Sequence, residues 1–442
     1  MKILLLNQAF YPDVVSTAQH LGDLAECLTK AGHQVTVLCS SRGYDHPELQ
    51  FPRRERWKGV EIIRLPCSGL GKGARWRRAA DFATFLLSCS ARLLLLPRFD
   101  LVVALTSPPL ISVLGAAFVK LKGGKFVFWV MDLNPDEAVA AGWLRQGSIL
   151  ERCLSALLRF SLRASAHVIA LDDFMKGRLE EKGVPAERIS VIAPWSHDDA
   201  AGFDSAGRAT FRDEHGLAGK YVVMYSGNHS PCHPLDTLLR AAKELAGDTR
   251  IVFCFIGGGS EFEKVGRFAA ANRLGNILQL PYQPRERLAA SLSAADLHVV
   301  VMGDPFVGIV HPCKIYNLLA IGSPVLYIGP EVSHITALLQ PLRKSDTARS
   351  ASHGATGEVI QHILDGAAGQ LRRRAESQAT APFSRNILVP RMLAVLEAAV
   401  QNLPAVHMQG RSWPEEACRD DISGSGELVP APTKTKSASS SA

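Results

Sequence analysis

The stretch GIVHPCKIYNLLAIGSPVLYIGP, residues 308–330, decides the fold. A glycine-led loop runs into an apolar helical segment at 314–321, and Gly322-Ser323-Pro324 stops it before the strand-like run 325–328. Loop, helix, turn and apolar strand make one βα unit, and repeated units of this kind build parallel sheets. Pro312 suits a first helical turn because its missing N–H needs no partner there, and Lys314 adds an ammonium beside the positive helix end. The reading predicts an exposed charge in a cleft.

The same alternation continues outward in both directions. Strands are expected at 2–6, 34–38, 61–65, 101–105, 125–130, 167–170 and 189–192, then at 221–225, 250–256, 277–279, 297–301 and 325–328. A helix at 17–31 is expected with Ser16 as its cap and Gly32 as its end. Further helices are expected near 235–245, 261–271, 284–293 and 314–321. Residues 193–212 are polar and aperiodic, as a linker would be. The chain therefore divides into Rossmann-like units at 1–200 and 213–383, an α/β architecture of two doubly wound domains facing across a cleft. Residues 384–403 read as a helix returning to the first unit, and 404–442 as a disordered tail.

Composition narrows the classes. Apolar residues make 47% and charged residues 21% of the 442, with a mean hydropathy of +0.07, so the chain can bury cores and reads as a soluble globular protein. Nine scattered cysteines without a CxxC pair signal neither a disulfide framework nor a zinc site, and a reducing cytosol is the expected compartment. No run reaches the length of a membrane span. The net charge of +7 arises within residues 42–98 alone, where twelve Lys/Arg face five Asp/Glu. Lys72, Arg75, Trp76, Arg77 and Arg78 there suit an anionic membrane surface, against the plainer reading of a solvated basic face. Nucleic acid is excluded as a partner, because the remainder is neutral and carries no binding motif.

In open α/β sheets, ligands bind beyond the carboxyl ends of the strands. Three glycine-marked loops fall there in the second unit: Gly227-Asn228-His229, Gly257-Gly258-Gly259, and Gly308 through Val310 and His311 to Lys314. Glycine permits close backbone approach, and helix N-termini offer unpaired N–H donors, so the three together suggest a cradle for a nucleotide diphosphate. Each alone is compatible with simple strand-to-helix punctuation. In the first unit, Asp132 follows a buried strand, where it either serves chemistry or, like Asn134, caps the next helix.

The ordered succession YPDVVSTAQHLGDLAECLTKAGHQVTVL, VMDLNPDEAVAAG, VIAPW, YSGN, FIGGGSEFEK, ADLHVVV and HPCKIYNLLAIGSPVL resembles the retaining glycosyltransferases of family 4 and extends to about residue 400. The closest likeness is to enzymes that build bacterial surface polysaccharides. The resemblance implies the glycosyltransferase-B fold, a nucleotide diphosphate sugar as substrate, no cofactor and no metal requirement. It also implies a glycan or polyprenyl-linked acceptor on the first unit, near Tyr11, Ser16 and Thr17, and the basic segment would set a cytoplasmic protein peripherally on the inner face of the plasma membrane. Lys314 and the amides from Gly308 onward are implied at the diphosphate, with Gly257 and Gly258 near the base. Asp132 falls where many relatives place a histidine at the donor sugar, giving it a catalytic role beside Lys314.

The chain also departs from the family pattern. Two glutamates expected eight positions apart are Ile309 and Asn317 here; Asn317 retains a hydrogen-bonding amide, whereas Ile309 cannot orient a sugar. The usual basic pair after YSGN is replaced by His229 and His233 as candidate substitutes. Two rivals follow: a nucleotide-sugar epimerase of the same fold, and a catalytically silent member that binds a partner.

Overall fold

The computed structural model describes residues 1–71, 75–196, 202–343, 346–371 and 381–401, without the side chains of 75, 285 and 381. The first sheet contains β1 (Lys2–Leu6), β2 (Gln34–Ser40), β3 (Arg54–Trp57), β4 (Val60–Leu65), β5 (Leu101–Ala104), β6 (Lys125–Trp129), β7 (His167–Ala170) and β8 (Ile189–Val191). Its order is β3-β4-β2-β1-β5-β6-β7-β8, parallel except for β3 against β4. Around it lie α1 (Ser16–Lys30), α2 (Arg75–Leu95), α3 (Ile111–Lys122), α4 (Asp136–Ala140), α5 (Ile149–Ala164) and α6 (Asp173–Glu181).

The second unit opens with α7 (Ser205–Glu214) and β9 (Tyr221–Asn228). It continues through α8 (Asp236–Glu244), β10 (Ile251–Gly258), α9 (Ser260–Asn272), β11 (Ile277–Leu280), α10 (Leu288–Ser293), β12 (Leu297–Val301), α11 (Lys314–Ile321), β13 (Val325–Ile328), α12 (His334–Arg343), β14 (Ala348–Ala351) and α13 (Thr356–Ala367). Its sheet is all parallel, ordered β11-β10-β9-β12-β13-β14. The fold is the expected pair of doubly wound units.

Helices on both faces leave the central strands no wet side, which is why their sequences are nearly unbroken apolar runs. Ile3, Leu4, Leu5 and Leu6 of β1 are all fully buried, as are Val325–Ile328 in β13. The strand order reverses between β1 and β5 and again between β9 and β12. Those switch points open crevices at the carboxyl ends of the strands, where a ligand fits between diverging helices.

Three direct contacts join the units at one place. The Leu133 amide donates to the Ile309 carbonyl at 2.9 Å, and Arg178 Nε donates to the Val307 carbonyl at 2.6 Å. Gly308 lies between them with φ +70°, and a Cβ on it would come within 2.7 Å of the Phe174 backbone. The glycine thus allows loop and helix α6 to touch. The last helix, α14 (Arg385–Gln401), lies on α1 of the first unit. Arg385 pairs there with Asp23 at 3.4 Å and Glu26 at 3.2 Å, while His33 Nε2 meets Glu397 at 3.0 Å.

Local readings differ at three points. Residues 205–212 of the expected linker belong to α7, because Asp204 caps it by accepting the Gly207 amide at 2.8 Å. The basic run around Arg54 contains the edge strand β3, whose alternating exposed charges keep an open edge soluble. Ser16 is the first residue of α1 and not its cap; Val15 holds that position without a side-chain bond.

Candidate active site

Lys314 begins α11 and projects back toward the end of β9. Its Nζ is shielded from solvent, has no hydrogen-bond partner among the described residues, and stands 3.6 Å from the centroid of the Tyr225 ring. Burial pulls its pKa down to about 7. The expected exposed charge is therefore a buried one, steadied by an aromatic face and paired with no carboxylate among the described residues. Gly227 makes room: its φ is +124°, and a Cβ there would lie 3.2 Å from Lys314 Nζ.

Across the cleft, Asp132 follows β6. Burial drives its carboxyl up to about 8, the charge of Glu137 adds to the rise, and the Arg78 guanidinium opposes it. Glu137 is raised as well, by burial first, although the Asn134 side-chain amide donates to it at 3.0 Å. The two carboxyls repel each other, and burial makes both harder to ionise. Asp132 does not cap α4, whose cap position is held by Pro135 without a side-chain bond. The capping alternative fails for Asn134 too.

The two halves of the site meet electrostatically. The Asp132 charge is felt at Cys232 and at Cys313, the residue next to Lys314, and the Ser16 side chain acts on the Cys313 thiol. Ser16, Asp132, Glu137, Cys232 and Cys313 therefore converge on one region between the sheets.

The other expected residues are distributed as follows. Asn228 is exposed at the end of β9, with Gly257 and Gly258 beside it at the end of β10. Asn317 lies one helical turn after Lys314 on the same face of α11, whereas Ile309 and Val310 are buried. Tyr11 stacks on Trp57 at 4.7 Å, 38% exposed, and Thr17 is half-buried in α1. His229 and His233 cannot replace a basic pair: burial and the nearby Lys314 pull both down to about 3, leaving neutral rings. His311 offers its ring to no donor, because Nδ1 meets Asp172 and Nε2 meets the Tyr316 hydroxyl, each at 2.8 Å.

The basic cluster separates. Lys72 and the Arg75 side chain lie outside the described residues. Trp76 is 63% exposed, with the Arg77 guanidinium 5.5 Å from its ring. Arg78 belongs to the cleft instead, donating to the Tyr44 hydroxyl at 3.0 Å and acting on Asp132 and Glu137. Glu137, Tyr225 and Arg78 are the site residues that sequence reasoning missed. For Glu137 a signal existed: a pair of carboxylates, Asp136 and Glu137, four and five residues after Asp132 and beyond a proline. Among the described residues, no helix is long and apolar enough to cross a membrane.

Comparison with known proteins places the fold among glycosyltransferases. Residues 17–195 match the Glycosyl transferase 4-like domain. The chain is 26% identical over 338 residues to the putative colanic acid biosynthesis glycosyl transferase WcaI of Escherichia coli, covering 73% of this chain and 82% of that one. Sucrose-phosphate synthase of Thermosynechococcus elongatus superposes with a TM-score of 0.65 at 15% identity, covering 91% and 96% of the two chains. Anabaena HepE, solved with UDP and glucose, superposes at 0.59 and 16% identity over 92% and 97%. The two-sheet architecture is the glycosyltransferase-B fold.

Proposed function

We propose that this chain, a glycosyltransferase by its domain match and named relatives, moves a sugar from a nucleotide diphosphate sugar to a hydroxyl acceptor with retention of configuration. The observation that carries the donor is Lys314: a buried amine without an anion is costly, and a diphosphate seated beside Gly227 supplies the anion. A relative named for colanic acid biosynthesis and a structural neighbour solved with UDP and glucose support a sugar nucleotide and a growing or lipid-linked glycan as the two substrates.

In this reading Lys314 and the first amides of α11 meet the charge that develops on the leaving diphosphate. With that charge met by an ammonium, transfer is proposed to proceed without a metal ion. The acceptor lies toward Tyr11, Ser16 and Thr17, its hydroxyl oriented by the Asp132–Glu137 pair. Attack comes from the face the diphosphate leaves, and a diphosphate oxygen takes the hydroxyl proton. Exposed Trp76 and Arg77 hold the first unit near an anionic bilayer, where a polyprenyl-linked acceptor resides.

The test is turnover of a panel of nucleotide sugars with and without a lipid-linked glycan acceptor. Acceptor-dependent product with the donor's anomeric configuration by NMR is expected. Epimerised nucleotide sugar without acceptor would support the rival enzyme instead.

A further inference from the structure

Away from Lys314, three buried side chains from separate segments converge where the two units touch. Asp172 precedes α6 in the first unit, His311 lies in the loop before α11, and His334 opens α12. One ligand atom of each lies within 4.8 Å of the other two. His311 Nδ1 is 2.8 Å from Asp172 Oδ2, and His334 Nδ1 is 3.4 Å from the same oxygen. The two imidazoles stack at 4.2 Å.

Folding accounts for two of the three. Asp172 Oδ1 accepts the Met175 amide at 2.8 Å and caps α6, and His311 bridges Asp172 to Tyr316. His334 has no such reason. It is 7% exposed, yet neither ring nitrogen has a hydrogen-bond partner among the described residues. A buried polar group left unpaired is a cost that an apolar side chain of similar size avoids.

We propose that Asp172, His311 and His334 bind one transition-metal ion of the zinc, cobalt or nickel class, which ties the first unit to the second. Two imidazole nitrogens and one carboxylate oxygen suit these ions, with water completing the shell. The outer contacts already orient the ligands: Tyr316 on His311 Nε2, and the Met175 amide on Asp172 Oδ1. Binding moves the His311 proton from Nδ1 to Nε2, where the Tyr316 oxygen accepts it, so the ring releases no proton. The ion sits beside the Leu133–Ile309 and Arg178–Val307 bonds and fastens the same seam.

The test uses the full chain, stripped with chelator and titrated with Co²⁺, whose visible absorption reports its ligands. One Co²⁺ per chain is expected, without a thiolate charge-transfer band, displaced by Zn²⁺, and Zn²⁺ should raise the Tm. His334→Leu fills the same space and breaks no hydrogen bond, so it should fold and lose affinity by about 100-fold. Asp172→Asn keeps a capping oxygen, removes the anionic ligand, and decides the matter should His334→Leu fail to fold. No Co²⁺ band in the wild type, a thiolate band, or unchanged affinity in a folded variant overturns the site.

Discussion

At Lys314, burial and chemistry pull against each other. The pKa falls from 10.5 to about 7, so between those values the unfolded chain binds a proton that the folded chain does not. Stability from this group therefore rises with pH across that window. Lys314→Met should abolish the rise and stabilise the protein at pH 7 by about 1–3 kcal/mol, read from urea midpoints, while weakening donor binding. Asp132 has the opposite sign: its pKa rises from 3.8 to about 8, and its contribution to stability is lost as pH climbs through that interval. Asp132→Asn should flatten the loss and reduce turnover by about 100-fold with donor affinity nearly unchanged. Turnover near wild type would remove Asp132 from the chemistry. Both residues are visible in the sequence, Asp132 because it stands just beyond a strand and Lys314 because it opens a helix after a glycine-led loop. Arg78 is not, since only folding brings it to Asp132. His311 misleads for the same reason: it lies in the donor loop by sequence and faces Asp172 in space.

Among the elements, apolar runs buried on both faces are easily read, and the ends of α11 fall where Pro312 and Gly322 indicate. Elements whose pattern is set by an edge or a cap are harder. In β3, RERW reads as a charge run because an edge strand must stay wet, and α7 hides behind two glycines until Asp204 is seen capping it. Helix α14 depends on contacts far away in sequence, above all the insertion of Arg385 between Asp23 and Glu26, where Arg385 is 16% exposed. Glu26 keeps Lys30 and Lys58 as alternative partners, which limits the damage of losing Arg385. Arg385→Ala should therefore cost about 1–2 kcal/mol, seen as a lower Tm, with donor affinity unchanged. A Tm equal to wild type would mean that apolar packing alone holds α14 on α1.

For the whole molecule, the proposed transfer needs the donor on one unit and the acceptor on the other, with the approach of the two units excluding water from the transferred sugar. The outer end of α2 gives that assembly a direction. The chain should sediment with anionic vesicles and be released by high salt, and Trp76→Ser with Arg77→Ser should abolish sedimentation while sparing nucleotide binding. Sedimentation indifferent to lipid charge would reduce these residues to a solvated face. The central claim is that a nucleoside diphosphate supplies the anion Lys314 lacks, and such binding must recharge the amine. Calorimetry at pH 8 in buffers of different ionisation enthalpy tests this with UDP, ADP and GDP. The account predicts uptake of close to one proton by the wild type with the nucleotide that binds, and none by a folded Lys314→Met. Tight binding without proton uptake, or equal affinity in the variant, would contradict it.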